Sequence, residues 1–174
     1  MPHPNPKAAT DIVGAVDFDK LFRRLLASYQ QPLYWHIRHI VGCHEDTEDA
    51  LQETFIRAYR NIGKLREATN EKAWLYRIAT NEALRVIEGR KPAETYEEHH
   101  DASHTDAPNY DTLQQALTDA IVSLPPRQRA VFSMRYYDDM AYEDIATAVD
   151  SNVKAVTANY HVAKEKIRQY LLNL

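Results

Sequence analysis

The sequence predicts an all-α fold: two small helical domains joined by a flexible acidic linker, the C-terminal one a four-helix domain containing a helix-turn-helix. Three observations predict it. Apolar residues recur at intervals of three and four along most of the chain, the period of helices with one buried face. Only 4 glycines occur in 174 residues, few for a turn-rich β protein. Between Pro92 and Asn109 lysine and arginine are absent while Glu, Asp and His accumulate, the composition of a solvated tether. The expected divisions are a disordered N-terminal tail at 1–17, a first domain at 18–92, the linker at 93–110 and a second domain at 111–174.

A chain of this length that is 44% hydrophobic can bury one good core or two small ones. Its single cysteine, Cys43, cannot form an intramolecular disulfide, which fits a reducing compartment. The first residues lack the basic-then-apolar pattern of a leader, and no apolar run approaches the ~20 residues of a membrane span, so a cytoplasmic protein without membrane insertion is expected. The net charge of -4 is unevenly distributed: -1 over residues 1–17, +3 over 18–92, -7 over 93–123 and +1 over 124–174. Both helical regions are mildly basic. That permits contact with nucleic acid but falls short of the cationic excess of an autonomous DNA binder.

Phe18, Leu21, Phe22, Leu25, Leu26 and Tyr29 keep one helical stripe; Pro32 marks a break or kink, and Leu33, Ile37, Ile40 and Val41 carry the stripe on to Gly42. The next helix runs to Ile62, with Asp46 or Thr47 as its expected cap and Ala50, Leu51, Phe55 and Ala58 inward. Its outward face holds Asp49, Gln52, Glu53, Ile56 and Arg57. After a polar loop from Gly63 to Glu71, a third helix from about Lys72 to Glu88 turns Trp74, Leu75, Ile78 and Ala79 inward. Its expected exposed side carries Tyr76, Arg77, Thr80, Asn81 and Arg85. A ring that can stack on a base, guanidinia for phosphates and an amide for a base edge suit single-stranded nucleic acid; a solvated helix face with one exposed tyrosine fits the same residues.

The second domain opens with a helix carrying Leu113, Leu117, Ile121 and Leu124, followed by Pro125-Pro126 and a helix through Val131, Phe132 and Met134. From Tyr142 to Val149 a short helix places Ile145, Ala146 and Val149 on one face; Asp150, Ser151 and Asn152 form a turn; and Val153 to Leu172 makes a longer helix with Val153, Val156, Tyr160, Ala163 and Ile167 inward. Asn152 is the expected cap. The free face of the last helix carries Lys154, Thr157, Asn159, His161 and Lys164, and its N-terminus is of the kind that helix-turn-helix proteins place in a major groove. A hairpin that merely packs satisfies the same pattern.

No metal or cofactor is expected. His99, His100 and His104 lie in the linker without cysteines or fixed ligand spacing, and Cys43 and His44 fall in a turn away from the helix face shared by His36 and His39. No glycine-rich phosphate loop and no nucleophile with an adjacent base is present, so an enzyme is not expected.

The segments Asp46-Thr47-Glu48-Asp49-Ala50-Leu51-Gln52-Glu53-Thr54-Phe55 and Ala73-Trp74-Leu75-Tyr76-Arg77-Ile78-Ala79-Thr80-Asn81, the acidic linker, Leu124-Pro125-Pro126-Arg127-Gln128-Arg129 and the terminal helix-turn-helix occur in an order that resembles the extracytoplasmic-function group of bacterial RNA polymerase sigma factors. The resemblance covers about Phe18 to Leu171. It implies a transcription initiation factor whose partners are core RNA polymerase, promoter DNA and an anti-sigma protein. On that resemblance, Asp49, Gln52, Glu53 and Ile56 dock on the polymerase clamp. Lys64 in the loop before the third helix, with Tyr76, Arg77, Thr80, Asn81 and Arg85, opens and reads the -10 element. Asn152, Lys154, Thr157, Ala158, Asn159, His161 and Lys164 meet the -35 element.

The chain departs from the family where the recognition helix begins: Thr157, Ala158 and Asn159 stand in place of Lys-Ser-Arg and its preceding small residue, Val162 replaces a basic residue, and Asp150 replaces the turn glycine. Fewer cations neutralise fewer phosphates, so a shallower salt dependence is expected. Two other classes remain open: a decoy that binds an anti-sigma protein without reading DNA, and a free-standing helix-turn-helix regulator.

Overall fold

The computed structural model describes residues 6–65, 70–90 and 110–173, with side chains from Asp17 onward in the first segment and from Thr112 onward in the last. All regular structure among the described residues is helical: α1 (Pro6–Val41), α2 (His44–Arg60), α3 (Ile62–Leu65), α4 (Glu71–Gly89), α5 (Tyr110–Val122), α6 (Pro126–Tyr136), α7 (Tyr142–Ala148) and α8 (Val153–Leu172). The all-α expectation holds. No helix among these residues is long and apolar enough to cross a membrane.

The first element is longer than its apolar stripe indicated. It begins at Pro6, inside the tail expected to be disordered at 1–17. Proline at a first helical position costs no hydrogen bond, and Ala8 and Ala9 behind it are strong helix formers. Pro32 does not divide the helix either. Both Pro32 and Ser28, whose carbonyl loses its usual donor, are exposed, so water can satisfy the freed acceptor. The helix stops at Gly42, which adopts φ 92° while its N–H donates to the Arg38 carbonyl at 2.9 Å.

The start of α2 corrects a second expectation. Cys43 is the N-cap residue and its side chain makes no capping bond. Thr47 instead donates its hydroxyl to the Cys43 carbonyl at 2.6 Å, and Asp46 is held by Arg90 from the far end of α4, at 3.2 Å from Nε and 2.5 Å from Nη2. The loop expected from Gly63 contains the single turn α3, which buries Ile62 and Leu65. The linker lies outside the described residues except for its last position, and His99, His100 and His104 lie outside them entirely.

The helix-turn-helix follows its sequence pattern closely. Asn152 caps α8 by accepting from the Ala155 N–H at 2.8 Å. Ile145, Ala146, Val156, Ala163 and Ile167 are buried, whereas Val153, the first residue of α8, is 39% exposed, which corrects its expected inward position. The turn residue Asp150 sits at φ 54°, the left-handed position that a glycine adopts without strain.

The two helical regions share one core. Leu33, Ile37 and Ile40 of α1 and Leu75 of α4 belong to the same buried cluster as Val131 and Met134 of α6, Ile145 of α7 and Val156 of α8. A smaller cluster of Ala120, Ile121, Leu124, Phe132, Ala163 and Ile167 belongs to the C-terminal region alone. Helix α4 packs against both α1 and α7.

A shared core makes unfolding of the two regions cooperative. Ile145→Ala is expected to cost about 2 to 5 kcal/mol. Tryptophan fluorescence, which reports on the N-terminal region through Trp35 and Trp74, should lose stability at the same urea midpoint as far-ultraviolet circular dichroism. Separate midpoints would refute the shared core.

Candidate nucleic-acid interface

Helix α4 is fixed at its start by Asn70. The Asn70 Oδ1 accepts from the Ala73 N–H at 3.0 Å, and its Nδ2 donates to Asp144 of α7 at 2.6 Å. That double role ties the N-terminus of α4 to α7. Arg77, Asn81 and Arg85 are exposed, as the sequence implied. Tyr76 is 0% exposed and Thr80 2%, which corrects the expectation of an exposed strip.

The reason is the C-terminal region. The Tyr76 hydroxyl donates to Asp138 at 2.8 Å, while its ring lies 4.8 Å from His36 of α1. Burial first, and then the Asp138 carboxylate, push the Tyr76 phenol far above its ordinary range. Thr80 Oγ1 lies 2.8 Å from His36 Nε2. Lys72 donates to the Asp138 carbonyl at 2.8 Å, and Arg77 pairs with Asp150 at 3.3 Å. Arg85 reaches back to Glu82 at 3.0 Å. Asp138, Asp144, Asp150, Asn70 and Lys72 are therefore contact residues that periodicity could not single out, because their partners lie more than sixty residues away in sequence.

The outward face of α2 is as expected: Asp49, Gln52 and Ile56 are exposed and Glu53 is half-buried between Arg57 and solvent. Arg57 also pairs with the buried Glu82 of α4 at 2.9 Å, which anchors this face to α4. Beside it an open groove of about 750 Å³ is lined by Phe22, Leu26, Phe55, Ile56 and Tyr59, with Ile56 44% and Tyr59 50% exposed. Lys64 stands exposed on α3.

On α8 the residues Asn152, Lys154, Ala158, Asn159, His161 and Lys164 are exposed and Thr157 is half-buried. Thr157 returns its hydroxyl to the Val153 carbonyl at 2.8 Å, and Gln128 reaches Asn159 at 3.4 Å. Lys164 lies 5.8 Å from the Tyr160 ring centroid. The face is open at its N-terminus and thinly cationic.

The histidines of α1 and the first residue of α2 have structural partners. His39 stacks on Tyr137 with 4.1 Å between ring centroids and lies 3.3 Å from Ser133 Oγ, and Tyr34 meets His44 Nδ1 at 2.8 Å. No group of three potential metal ligands occurs among the described residues.

Residues 25–92 match the family model for Sigma-70 region 2, and residues 114–167 match that for Sigma-70, region 4. The chain is 30% identical over 167 residues to the RNA polymerase sigma-H factor of Pseudomonas aeruginosa, covering 87% of this chain and 86% of that protein. It is 31% identical over 163 residues to the ECF RNA polymerase sigma-E factor of Haemophilus influenzae, covering 85% of this chain and 86% of the other. Among solved structures, the sigma factor RpoE in complex with the anti-sigma factor NepR from Bartonella quintana shares the fold, with a TM-score of 0.71 and 21% identity over 87% of this chain and 97% of that one.

Burial, followed by the neighbouring His36, lowers the His39 pKa from 6.5 to about 4; Asp138 opposes the shift and Arg38 adds to it. The folded chain thus binds this proton less readily than the unfolded chain, so the stabilisation is complete above about pH 6.5 and is lost as pH falls toward 4. Between pH 7 and pH 5 this residue should cost about 1 to 2 kcal/mol, read as a lower urea midpoint. His39→Phe should flatten that part of the pH profile, and an unchanged slope would refute the assignment.

Proposed function

Because the chain belongs to the extracytoplasmic-function group of the sigma-70 family of RNA polymerase sigma factors, we propose that it binds core RNA polymerase in the cytoplasm and directs it to promoters through -10 and -35 contacts. The observation that carries this reading is the order of the two regions, 25–92 before 114–167, on a chain whose α8 presents a capped, solvent-facing N-terminus. The exposed acidic and apolar face of α2 supplies the polymerase contact: Asp49, Gln52, Glu53 and Ile56 form its rim beside the apolar groove. Arg77, Asn81, Arg85 and Lys64 contact the opened -10 strand directly, and Tyr76 and Thr80 join them when the C-terminal region moves off α4.

At the -35 element, Lys154 and Lys164 hold phosphates, and Asn159 or His161 meets a base edge. Asn152, Thr157 and Ala158 bring the backbone N–H groups of the first turn close to the duplex. An anti-sigma protein is the proposed regulator, as in the RpoE–NepR complex. The test is transcription in vitro with core polymerase on a genomic fragment library. Promoter-specific transcripts support the reading, whereas polymerase binding without transcripts favours the anti-sigma decoy and DNA binding without polymerase favours a free-standing regulator.

Reversing Asp49 and Glu53 together to lysine should weaken polymerase capture in a pull-down while shifting stability by no more than about 1 kcal/mol, since only the half-exposed Glu53–Arg57 pair is lost. Unchanged capture would remove these residues from the docking face. On α8, alanine at Lys154 or Lys164 should weaken holoenzyme binding to all promoter variants alike and flatten the salt slope by about one unit. Asn159→Ala should instead relax preference at one -35 position by about 1 to 3 kcal/mol. If all three substitutions leave binding unchanged, this helix face does not read the -35 element.

A further inference from the structure

Four alternating charges connect the outward face of α2 to the outward face of α4. Arg57 Nε lies 2.9 Å from Glu53 Oε1 and also 2.9 Å from Glu82 Oε1, yet it is buried and its N–H lines up in a hydrogen bond with neither. Glu82 is buried in turn, and the oxygen that faces Arg57 also accepts from Arg85 Nη1 at 3.0 Å, with the second Glu82 oxygen at 3.2 Å. Glu53 belongs to the rim proposed to dock on polymerase, and Arg85 to the face proposed to hold the opened -10 strand. We propose that Glu82 is a positioning residue that couples these two faces: it holds Arg85 back while Arg57 is shared with Glu53, and releases Arg85 to a strand phosphate once polymerase docking engages Glu53. The coupling rests on the docking and -10 roles proposed above.

The physical basis is competition for one oxygen. Two guanidinia that meet the same Glu82 Oε1 repel each other, so tightening one contact loosens the other. A buried carboxylate keeps at least one cation, because leaving it unpaired is strongly unfavourable, but one well-aligned guanidinium is enough. Exposure decides which arginine leaves. The Arg85 side chain is 55% exposed and stands three residues from Glu82 on the same helix, a surface-type contact that water or a phosphate replaces readily. Arg57, with one N–H divided between two carboxylates at equal distance, has two positions available, and the acidic rim decides between them. A cationic partner group that pairs with Glu53 removes the competing acceptor, so Arg57 turns fully onto Glu82 and Arg85 is freed on the exposed side of α4, one turn from Asn81. By reciprocity, a phosphate that takes Arg85 draws Arg57 onto Glu82 and frees Glu53 for its partner.

The test uses the full chain carrying Glu82→Gln, which keeps the side-chain size and removes its hold on both arginines, or Glu53→Gln, which imitates the docked state by removing the competing acceptor. Glu88→Gln, at the exposed end of α4, controls for the lost negative charge. Anisotropy with a short fluorescein-labelled single-stranded DNA across a salt series reads the release of Arg85. Without polymerase, both variants should bind at least about threefold more tightly than the control at low salt, with a salt slope steeper by roughly 0.7. Adding Arg85→Ala to either should abolish the gain. In holoenzyme formed with core polymerase, where docking has already released Arg85, the gain from Glu82→Gln should disappear. A gain that survives either Arg85→Ala or holoenzyme formation overturns the coupling. No gain over the control without polymerase, with Arg85→Ala still weakening strand binding by holoenzyme, overturns the proposal and leaves the -10 reading standing. If Arg85→Ala is silent there as well, Arg85 leaves the -10 face and the proposal falls with it. Should Glu82→Gln lose helical circular dichroism, Glu53→Gln decides, and no gain over the control overturns the proposal.

Discussion

One buried guanidinium holds the arrangement of the two regions. Arg129 on α6 donates from Nη1 to the Ile40 carbonyl at 2.8 Å and from Nη2 to the Leu124 carbonyl at 3.0 Å, and it also meets the Val122 carbonyl. Ile40 lies in the last turn of α1 and Val122 ends α5, so a single side chain satisfies acceptors that two helix ends would otherwise leave unpaired. Those acceptors come from opposite halves of the chain. With their carbonyls directed at the same charge, α1, α5 and α6 are brought to a common point, and the apolar residues of α1, α4, α6 and α7 close around it as one core.

The elements legible in the sequence are those whose organising interactions are local. The spacing of Ile145, Ala146, Val156, Ala163 and Ile167 and the position of Asn152 locate the helix-turn-helix because period and cap both act within a few residues. The outward face of α2 is legible for the same reason. Tyr76 and Thr80 are not, since nothing within their own helix distinguishes a face awaiting a strand from a face awaiting Asp138 and His36. Likewise the N-terminal extension of α1 lacks a regular apolar stripe, so only its proline and alanines mark it.

The recognition helix shows what the departures from the family do physically. With Asp150 in place of the turn glycine, the left-handed backbone is retained and a carboxylate is added, which Arg77 then uses. Thr157 turns its hydroxyl to its own helix and Asn159 is approached by Gln128, so the side chains at the front of α8 are partly engaged within the protein. This end of α8 therefore presents its capped helix N-terminus more than formal charge.

The shared core also constrains how the chain is made. Synthesis runs from the N-terminus, so α1 to α4 emerge from the ribosome before α6 and α7 exist, with Tyr76 and Leu75 on a helix whose final cover is still untranslated. Over that interval the nascent chain presents the face that the finished molecule hides. Chaperones, or any ligand able to engage a half-made chain, meet during translation a surface that the C-terminal region afterwards covers, and the order of synthesis therefore gives the protein a brief period in which that surface has no internal cover.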